Sequence, residues 1–233
     1  MSELTGSYII RETLRSPFGL LFFTLLFALV VPALVPQGSV ISVLFTAFFT
    51  AILFSGLYAV SRERGHFLIG LSIAAPAAIL NWWSQVSYVL AIDLLGKLLA
   101  AVFMAYLAWL ILVHIMRSPR VDMNLVYASI CIYLLVGFLC GFGFSVIELL
   151  NESAIKYAAT DVLAGAPARE VRTFYYSFVT LTTLGYGDIT PVSAPARVLA
   201  MTEALTGQLM LVVLVARLVA LHITHTEIAT EQG

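Results

Sequence analysis

Apolar runs long enough to cross a membrane recur along the whole chain, and they constrain its fold more than any other feature. They lie at about residues 18–35, 39–60, 67–83, within 86–116, 124–150 and 195–221. As helices rising about 1.5 Å per residue, such runs can cover about 30 Å of hydrocarbon. The composition agrees, because only 11% of the residues are charged, whereas soluble proteins carry about 25%. The sequence therefore predicts an all-α membrane protein with six transmembrane helices.

The fourth run, residues 86–116, is longer than a bilayer needs. A single helix over it would be about 46 Å long. One alternative is a tilted helix that projects from the membrane. The other is an outer amphipathic piece over residues 86–97, followed by a span that begins near Leu98. The second alternative is preferred.

Arginines divide the connections between the runs into two sets. Arg11 and Arg15 precede the first run, Arg62 and Arg64 follow the second, Arg117 and Arg120 follow the fourth, and Arg217 lies near the end of the sixth. The alternate connections, residues 36–38 and 81–85, contain no basic residue, and the second of them carries Trp82 and Trp83. Short Arg-rich loops stay in the cytoplasm, and tryptophans favour the membrane interface. Both termini are therefore predicted inside, with the connection between runs five and six outside.

That outside connection, about residues 151–194, has two different halves. Residues 151–170 are mixed and polar, which is typical of a loop or turret. Residues 173–183 are apolar and aromatic but too short to span a bilayer. Such a short segment between two spans predicts a re-entrant helix.

The segment from Thr182 to Asp188, TTLGYGD, follows this helix at membrane depth. Non-helical backbone is tolerated there only inside protein or along a watery path. Gly185 and Gly187 permit positive φ, so the backbone can alternate in handedness and point its carbonyls one way. A row of carbonyls can replace the hydration shell of an ion. Thr183 can add a hydroxyl oxygen, and Tyr186 is expected to pack sideways and fix the diameter.

This segment resembles the T-V-G-Y-G-D signature of the potassium channel superfamily, with Leu184 in place of Val. The resemblance extends from the outer helix at about residue 124 through the inner helix. Tyr176, Asp188 and Gly207 match the aromatic cuff of the pore helix, the aspartate after the filter and the hinge glycine of the inner helix. The chain as a whole resembles a bacterial-type six-transmembrane subunit with one pore loop and no charged voltage sensor.

The resemblance implies a potassium-selective channel subunit. K⁺ would bind at Thr183, Leu184, Gly185 and Tyr186, with Gly187 completing the filter and Thr182, Asp188 and Tyr176 supporting it. A ring of carbonyls needs four filter segments, so a C4 homotetramer is expected. The expected partners are the other copies, the lipid of a plasma or inner membrane and K⁺ ions. Neither a cofactor nor nucleic acid is expected, and the net charge of −1 gives no reason for the latter.

The implied organisation has a four-span unit before a pore domain. Residues 1–17 would be a cytoplasmic N-terminus, 18–116 the four-span unit, 117–123 a linker, 124–221 the pore domain and 222–233 a cytoplasmic tail. The pore domain would contain an outer helix, turret, re-entrant pore helix, filter and inner helix.

Several residues of the inner helix are candidates for further roles. Glu203 is an ionisable group inside the sixth run, and such groups usually face protein or water; it is expected to brace the filter or pore helix. Gly207 is interpreted as a gating hinge, with close helix packing as the alternative. Gln208 faces the cavity by family match, or makes an interhelical hydrogen bond. Leu211 and Val215 continue the same face.

Two pairs outside the filter receive structural interpretations. Asp93 and Lys97 are four residues apart on one helical face, and mutual neutralisation near the outer interface is preferred over a coupling site. Gly137 and Gly141 form a G-x-x-x-G motif that predicts close helix packing. Cys131 and Cys140 face opposite sides of one helix, so no disulfide is expected between them.

Four spans before a pore unit is the layout of voltage-gated channels, but residues 98–116 contain no Arg or Lys. Steep voltage gating needs several charges in the field, so little or no voltage dependence is predicted. With about a dozen residues after 221, no ligand-sensing cytoplasmic domain is expected. The alternatives are a non-selective cation channel, or a receptor or regulatory subunit with a silent pore. An enzyme is not expected, because no nucleophile–base set or metal cluster is present.

Overall fold

The computed structural model describes residues 16–34, 39–60, 64–87, 89–119, 122–157 and 169–231, without the side chains of 32–33, 39–41 and 221–231. This part of the chain contains seven helices and one two-stranded sheet. They are α1 Pro17–Leu34, α2 Ser39–Val60, α3 Arg64–Ser84, α4 Leu90–Arg117, α5 Met123–Leu150, β1 Ile155–Tyr157, α6 Arg169–Leu181, β2 Ile189–Pro191 and α7 Ala194–Glu231.

Five of the described helices, α2 to α5 and α7, are long and apolar enough to cross a membrane. Helix α1 has 18 residues, and its stretch Pro17–Val31 counts as a shorter apolar helix. The six predicted spans therefore correspond to five helices of spanning length and one shorter apolar helix.

Helix α4 runs without interruption over 28 residues, a length of about 42 Å. The preferred expectation of a separate outer piece over residues 86–97 is therefore wrong. The helix continues through Asp93 and Lys97 because these side chains form an ion pair along the helix, so their charges give no reason for a break. The apolar sequence that follows, residues 98–116, contains no Pro and no other residue typical of loops.

Helix α7 is also longer than predicted, with 38 residues ending at Glu231. The predicted inner helix ended at Leu221, so most of the expected tail, residues 222–233, continues the helix. Residues 222–231 contain no Gly or Pro, and these are the residues that commonly end a helix. The prediction ended the helix where the sequence becomes polar. A change to polar residues indicates the edge of the membrane, and a helix can continue beyond that edge.

The outside connection holds more structure than a loop and a re-entrant helix. Helix α6 begins at Arg169, four residues before the predicted start at 173, and carries Glu170 in its first turn, where a carboxylate is favourable. Strands β1 and β2 pair antiparallel, with Ile155 opposite Pro191 and Tyr157 opposite Ile189. This sheet was not predicted, and it fixes the chain directly after the TTLGYGD segment.

The helices pack as two regions of one chain. We call residues 17–117, which contain α1 to α4, the four-helix region. Residues 123–231, which include the stretch that resembles a potassium-channel pore domain, are called the pore region. Helix α4 packs along α3 and α5, and α1 packs against α2 and α5. Aromatic rings of Phe49, Phe138, Phe142 and Phe174 interlock where the regions meet. The four-helix region therefore rests on the pore region of its own chain.

Small residues of α5 make room for α6. A Cβ added at Gly137 would lie 2.7 Å from the ring of Phe178, and one at Gly141 would overlap the ring of Phe174. The packing interpretation of the G-x-x-x-G motif is therefore confirmed, and the partner is the re-entrant helix. Cys131 and Cys140 are both buried and free, as predicted.

Candidate functional site

The TTLGYGD segment begins where α6 ends and turns back on the helix. The Leu184 N–H donates to Val179 O at 2.9 Å, and the Thr183 N–H donates to Thr180 O at 2.9 Å. The hydroxyl of Thr182 donates to Phe178 O at 2.7 Å. These bonds use the carbonyls that the end of a helix leaves without partners. The start of the segment is therefore set by the last turn of α6.

The backbone of the segment alternates in handedness. Thr183, Gly185 and Gly187 have φ values of 57°, 58° and 79°, and no other described residue between them has positive φ. The positive φ predicted at the two glycines is confirmed. Thr183 adds a third such position that the sequence did not indicate, because a β-branched residue is rarely found in that region. The alternation is the backbone geometry that a row of carbonyls pointing one way requires.

The side chains of this segment are uncovered in the single chain. Leu184 is 54% exposed and Tyr186 is 66% exposed. Sideways packing of Tyr186 was expected, but most of its side chain is left uncovered by the described part of its own chain. An exposed, non-helical backbone at membrane depth leaves polar groups without partners, so this surface needs further protein or water.

The far end of the segment is anchored at Asp188. The hydroxyl of Tyr175 donates to Asp188 Oδ2 at 2.8 Å, and the Ile189 N–H donates to Asp188 Oδ1 at 3.0 Å. Tyr176, the predicted cuff residue, instead packs its ring on Phe144 at 4.7 Å. The anchoring tyrosine is therefore the neighbour of the one that the sequence singled out. Its side chain lies on the exposed side of α6, where Asp188 also lies.

Glu203 lies behind α6 and is almost wholly buried. Ser177 Oγ hydrogen-bonds to Glu203 and lies 2.7 Å from Gly137 O. A hydroxyl has one hydrogen, so Ser177 donates fully to only one of these two acceptors at a time. The Cys140 side chain also interacts with the Glu203 carboxyl. The expected contact between Glu203 and the pore helix is present.

Gly207 lies where α7 crosses the end of α6. A Cβ added there would overlap Leu181 O, the carbonyl that also accepts a hydrogen bond from the hydroxyl of Tyr133 at 3.2 Å. The geometry gives Gly207 the packing role that was the alternative to a hinge. Helix α7 is continuous through this position.

Gln208, Leu211 and Val215 occupy one exposed face of α7. They are spaced three and four residues apart, so they share a face of the helix. Leu211 and Val215 are about half exposed, at 48% and 54%. The single chain leaves this face without a protein neighbour among the described residues.

A charged cluster lies between the end of α5 and the sheet. Glu148 lies 4.0 Å from Arg172, whose guanidinium lies 4.2 Å from the ring centre of Tyr157. Burial, followed by the charge and hydrogen bond of Glu148, raises the pKa of Tyr157. These contacts hold β1 against α6.

Sequence reasoning missed Ser177, Tyr133 and Tyr175, although each contacts the segment or the helix that supports it. The hydroxyls of Ser177 and Tyr133 contact backbone carbonyls that lie 40 or more residues away in the sequence. A single sequence does not indicate that such distant residues of apolar helices are in contact. Only Tyr175 had an indication, because it precedes the predicted cuff residue.

Residues 146–223 match a family described as "Ion channel" (Ion_trans_2). The match runs from the end of α5 through α6 and the TTLGYGD segment to α7. No curated protein matches the chain. The match is to a family of channels and not of enzymes, and residues 146–223 thus resemble an ion channel domain at the C-terminal side of several apolar helices.

Proposed function

We propose that four copies of the chain assemble around a common axis and conduct K⁺ through a ring of TTLGYGD segments. The observation that carries this proposal is the alternation of φ at residues 183, 185 and 187. It allows successive carbonyls to face an axis and to replace the hydration shell of K⁺. The exposed Leu184 and Tyr186 support the assembly, because neighbouring subunits would cover them.

In this tetramer K⁺ binds at Thr183, Leu184, Gly185 and Tyr186, and Gly187 completes the filter. Thr182, Tyr176, Asp188 and Glu203 support it. The exposed face of Gln208, Leu211 and Val215 lines the cavity below. Gly207 remains the proposed hinge, since a bend there would move α7 away from Leu181 O. With six spans, including α1, both termini would lie on the same side of a plasma or inner membrane. The Arg-rich connections favour the cytoplasm for that side and the outside for the filter mouth.

The test is ion flux from proteoliposomes that contain the purified protein. A K⁺ gradient should drive flux, and a Na⁺ gradient should drive at least about tenfold less, a difference of about 1.4 kcal/mol in barrier height. The native mass should correspond to four chains. Equal flux of the two ions would replace the proposal with a non-selective cation channel. A folded tetramer without flux would favour a receptor or regulatory subunit with a silent pore.

Voltage should have little effect on this pore. The described part of α4 after Lys97 carries no Arg or Lys before Arg117, whereas moving one charge through 100 mV is worth about 2.3 kcal/mol. In symmetric K⁺ without blockers, the conductance should change little with voltage. A steep conductance–voltage curve would contradict this part of the proposal.

A further inference from the structure

Lys97 is a buried lysine in an otherwise apolar helix. Its side chain is 5% exposed, whereas the other lysine of the chain, Lys156, is exposed. A buried ammonium group is costly unless charged partners compensate for the water that it loses. Its surroundings therefore show which groups must remain next to it.

Two carboxylates surround Lys97, and they belong to different helices. Asp93 lies one turn earlier on α4 and forms an ion pair with it. Glu170 lies in the first turn of α6, with its Oε1 3.0 Å from Lys97 Nζ. The interpretation of Asp93 and Lys97 as a self-contained pair is therefore incomplete. The same ammonium group joins the four-helix region to the helix that precedes the filter.

The space around this triad is small and polar. A cavity of about 20 Å³ adjoins Lys97 and Glu170 and is lined by groups that include Thr46, Asn81 and Gln85. That volume holds about one water molecule. Gln85 and Asn81 are already engaged, with Thr46 Oγ1 at 3.0 Å and Gly96 O at 3.2 Å. Among the described residues that line this cavity, no further acid could replace Glu170 if it moved away.

Helix α6 carries this constraint to the filter. It has 13 residues, about 20 Å of helix, with Glu170 in the first turn and Val179 O holding the Leu184 N–H at the other end. A short rigid helix held at its first turn has a fixed direction at its last turn. The position of Glu170 therefore affects where the filter backbone begins.

We propose that Lys97 is a positioning residue for ion conduction: oriented by Asp93, it holds Glu170 and thereby fixes α6 and the filter that follows. The four-helix region, which lacks sensor arginines, thus acts on the filter directly through the pore helix. This inference rests on the proposed K⁺ conduction, but the contact with α6 can be measured without it.

The experiment uses the full chain and two readouts. The first is the K⁺ flux and Na⁺/K⁺ flux ratio in proteoliposomes, and the second is amide hydrogen exchange across residues 169–181. Lys97→Met and Glu170→Gln should each lower K⁺ flux at least tenfold, raise the flux ratio several-fold and speed exchange in α6. The exposed residues supply matched controls, Lys156→Met and Glu152→Gln, which should change neither readout. A double variant, Lys97→Glu with Glu170→Lys, keeps one cation and two carboxylates in the cluster and should restore both readouts in part, because Asp93 and the new carboxylate four residues later on α4 repel each other.

The outcomes separate the two proposals. Suppose that the wild-type protein conducts K⁺, and that Glu170→Gln has the same K⁺ flux, flux ratio and amide exchange as the wild type. This result would overturn the role of Lys97 and leave the proposed function intact. Absence of wild-type flux would overturn the proposed function, and the exchange rates of Glu170→Gln would still decide whether Lys97 holds α6. Glu170→Gln preserves the pair of Lys97 and Asp93, so it serves if Lys97→Met does not fold. Failure of the double variant to recover, with each single variant folded, would also count against the proposal.

Discussion

The four-helix region and the pore region are both apolar bundles, but they place their polar contacts differently. In the four-helix region these contacts are spread over successive helix pairs. They include Thr24 with Ser55, Trp82 with Thr50, Gln85 with Thr46 and His66 with Tyr106. Among the described residues, each of these helix pairs has one to three such contacts, and apolar packing makes up the rest.

In the pore region the polar contacts concentrate on the short helix α6. Successive turns of α6 pair with Lys97, Ser145, Gly137 O and Tyr133. Glu203 and Asp188 add contacts from α7 and from the end of the filter. The difference indicates that α6 is held as a fixed support, whereas the four-helix region relies on packing that tolerates small shifts. Matched substitutions in the two regions should therefore have unequal effects.

We expect the largest difference between the two regions for substitutions of glycine by alanine. Gly185 and Gly65 both have open space around the position of a Cβ, but only Gly185 has positive φ, at 58°. Alanine in a left-handed conformation costs about 1–2 kcal/mol per residue, which the proposed tetramer would incur four times. Gly185→Ala should therefore lower K⁺ flux by about two orders of magnitude or more. Gly65→Ala, in the first turn of α3, should leave flux unchanged and stabilise the helix by up to about 1 kcal/mol.

Flux assays on liposomes with equal amounts of each folded variant decide this comparison. Wild-type flux and K⁺ preference in Gly185→Ala would show that the positive φ at this residue is not needed for conduction. Loss of flux in Gly65→Ala would show that the four-helix region is as sensitive as the filter.

We expect a smaller difference between the two regions for substitutions of buried serines by alanine. Ser177→Ala removes the hydroxyl between Gly137 O and Glu203, and leaves Glu203 with fewer hydrogen bonds in a buried site. We expect a loss of about 2–3 kcal/mol in the free energy of unfolding. Ser55→Ala removes a hydroxyl bonded to Thr24, but Thr24 still donates to Leu21 O at 2.8 Å. That variant should lose about 1 kcal/mol or less.

Unfolding in detergent by heat or denaturant measures both serine variants. Glu203→Gln is a useful companion, because an amide can donate to Ser177 Oγ as a protonated carboxyl does. It should remain close to wild type, whereas Glu203→Ala should resemble Ser177→Ala or be less stable. Equal losses for Ser177→Ala and Ser55→Ala would remove the contrast between the regions.

The sequence alone predicted the features that depend on local composition. The apolar runs located the helices, and the glycine spacing identified the positions of positive φ at residues 185 and 187. It also placed Glu203 against the pore helix, because a buried carboxyl in a span requires a polar neighbour. These predictions need only the physical chemistry of one segment at a time.

The features that it missed depend on contacts between distant segments. The sheet of β1 and β2 joins strands of three residues each, which are too short to give a periodic signal. The continuous α4 depends on its charged residues being paired, and one of the partners, Glu170, lies on another helix. The hydrogen bond between Tyr175 and Asp188 depends on which face of α6 is exposed. A single sequence does not contain that information.

The smallest expected effect lies where the two regions meet at the far end of α4. Arg217 of α7 donates from Nε to Ile115 O at 2.9 Å and from its terminal nitrogen to Met116 O at 2.6 Å. These are carbonyls that the end of a helix leaves without partners. Arg217→Met should lower the free energy of unfolding by about 1 kcal/mol, since the partly exposed side chain competes with water. Amide exchange over the last turn of α4 should also become faster.

Arg197→Met, which removes one longer bond of 3.3 Å to Pro191 O, is the control and should change stability by less than about 0.5 kcal/mol. If the two arginine variants behave alike, apolar packing alone holds α4 at this end.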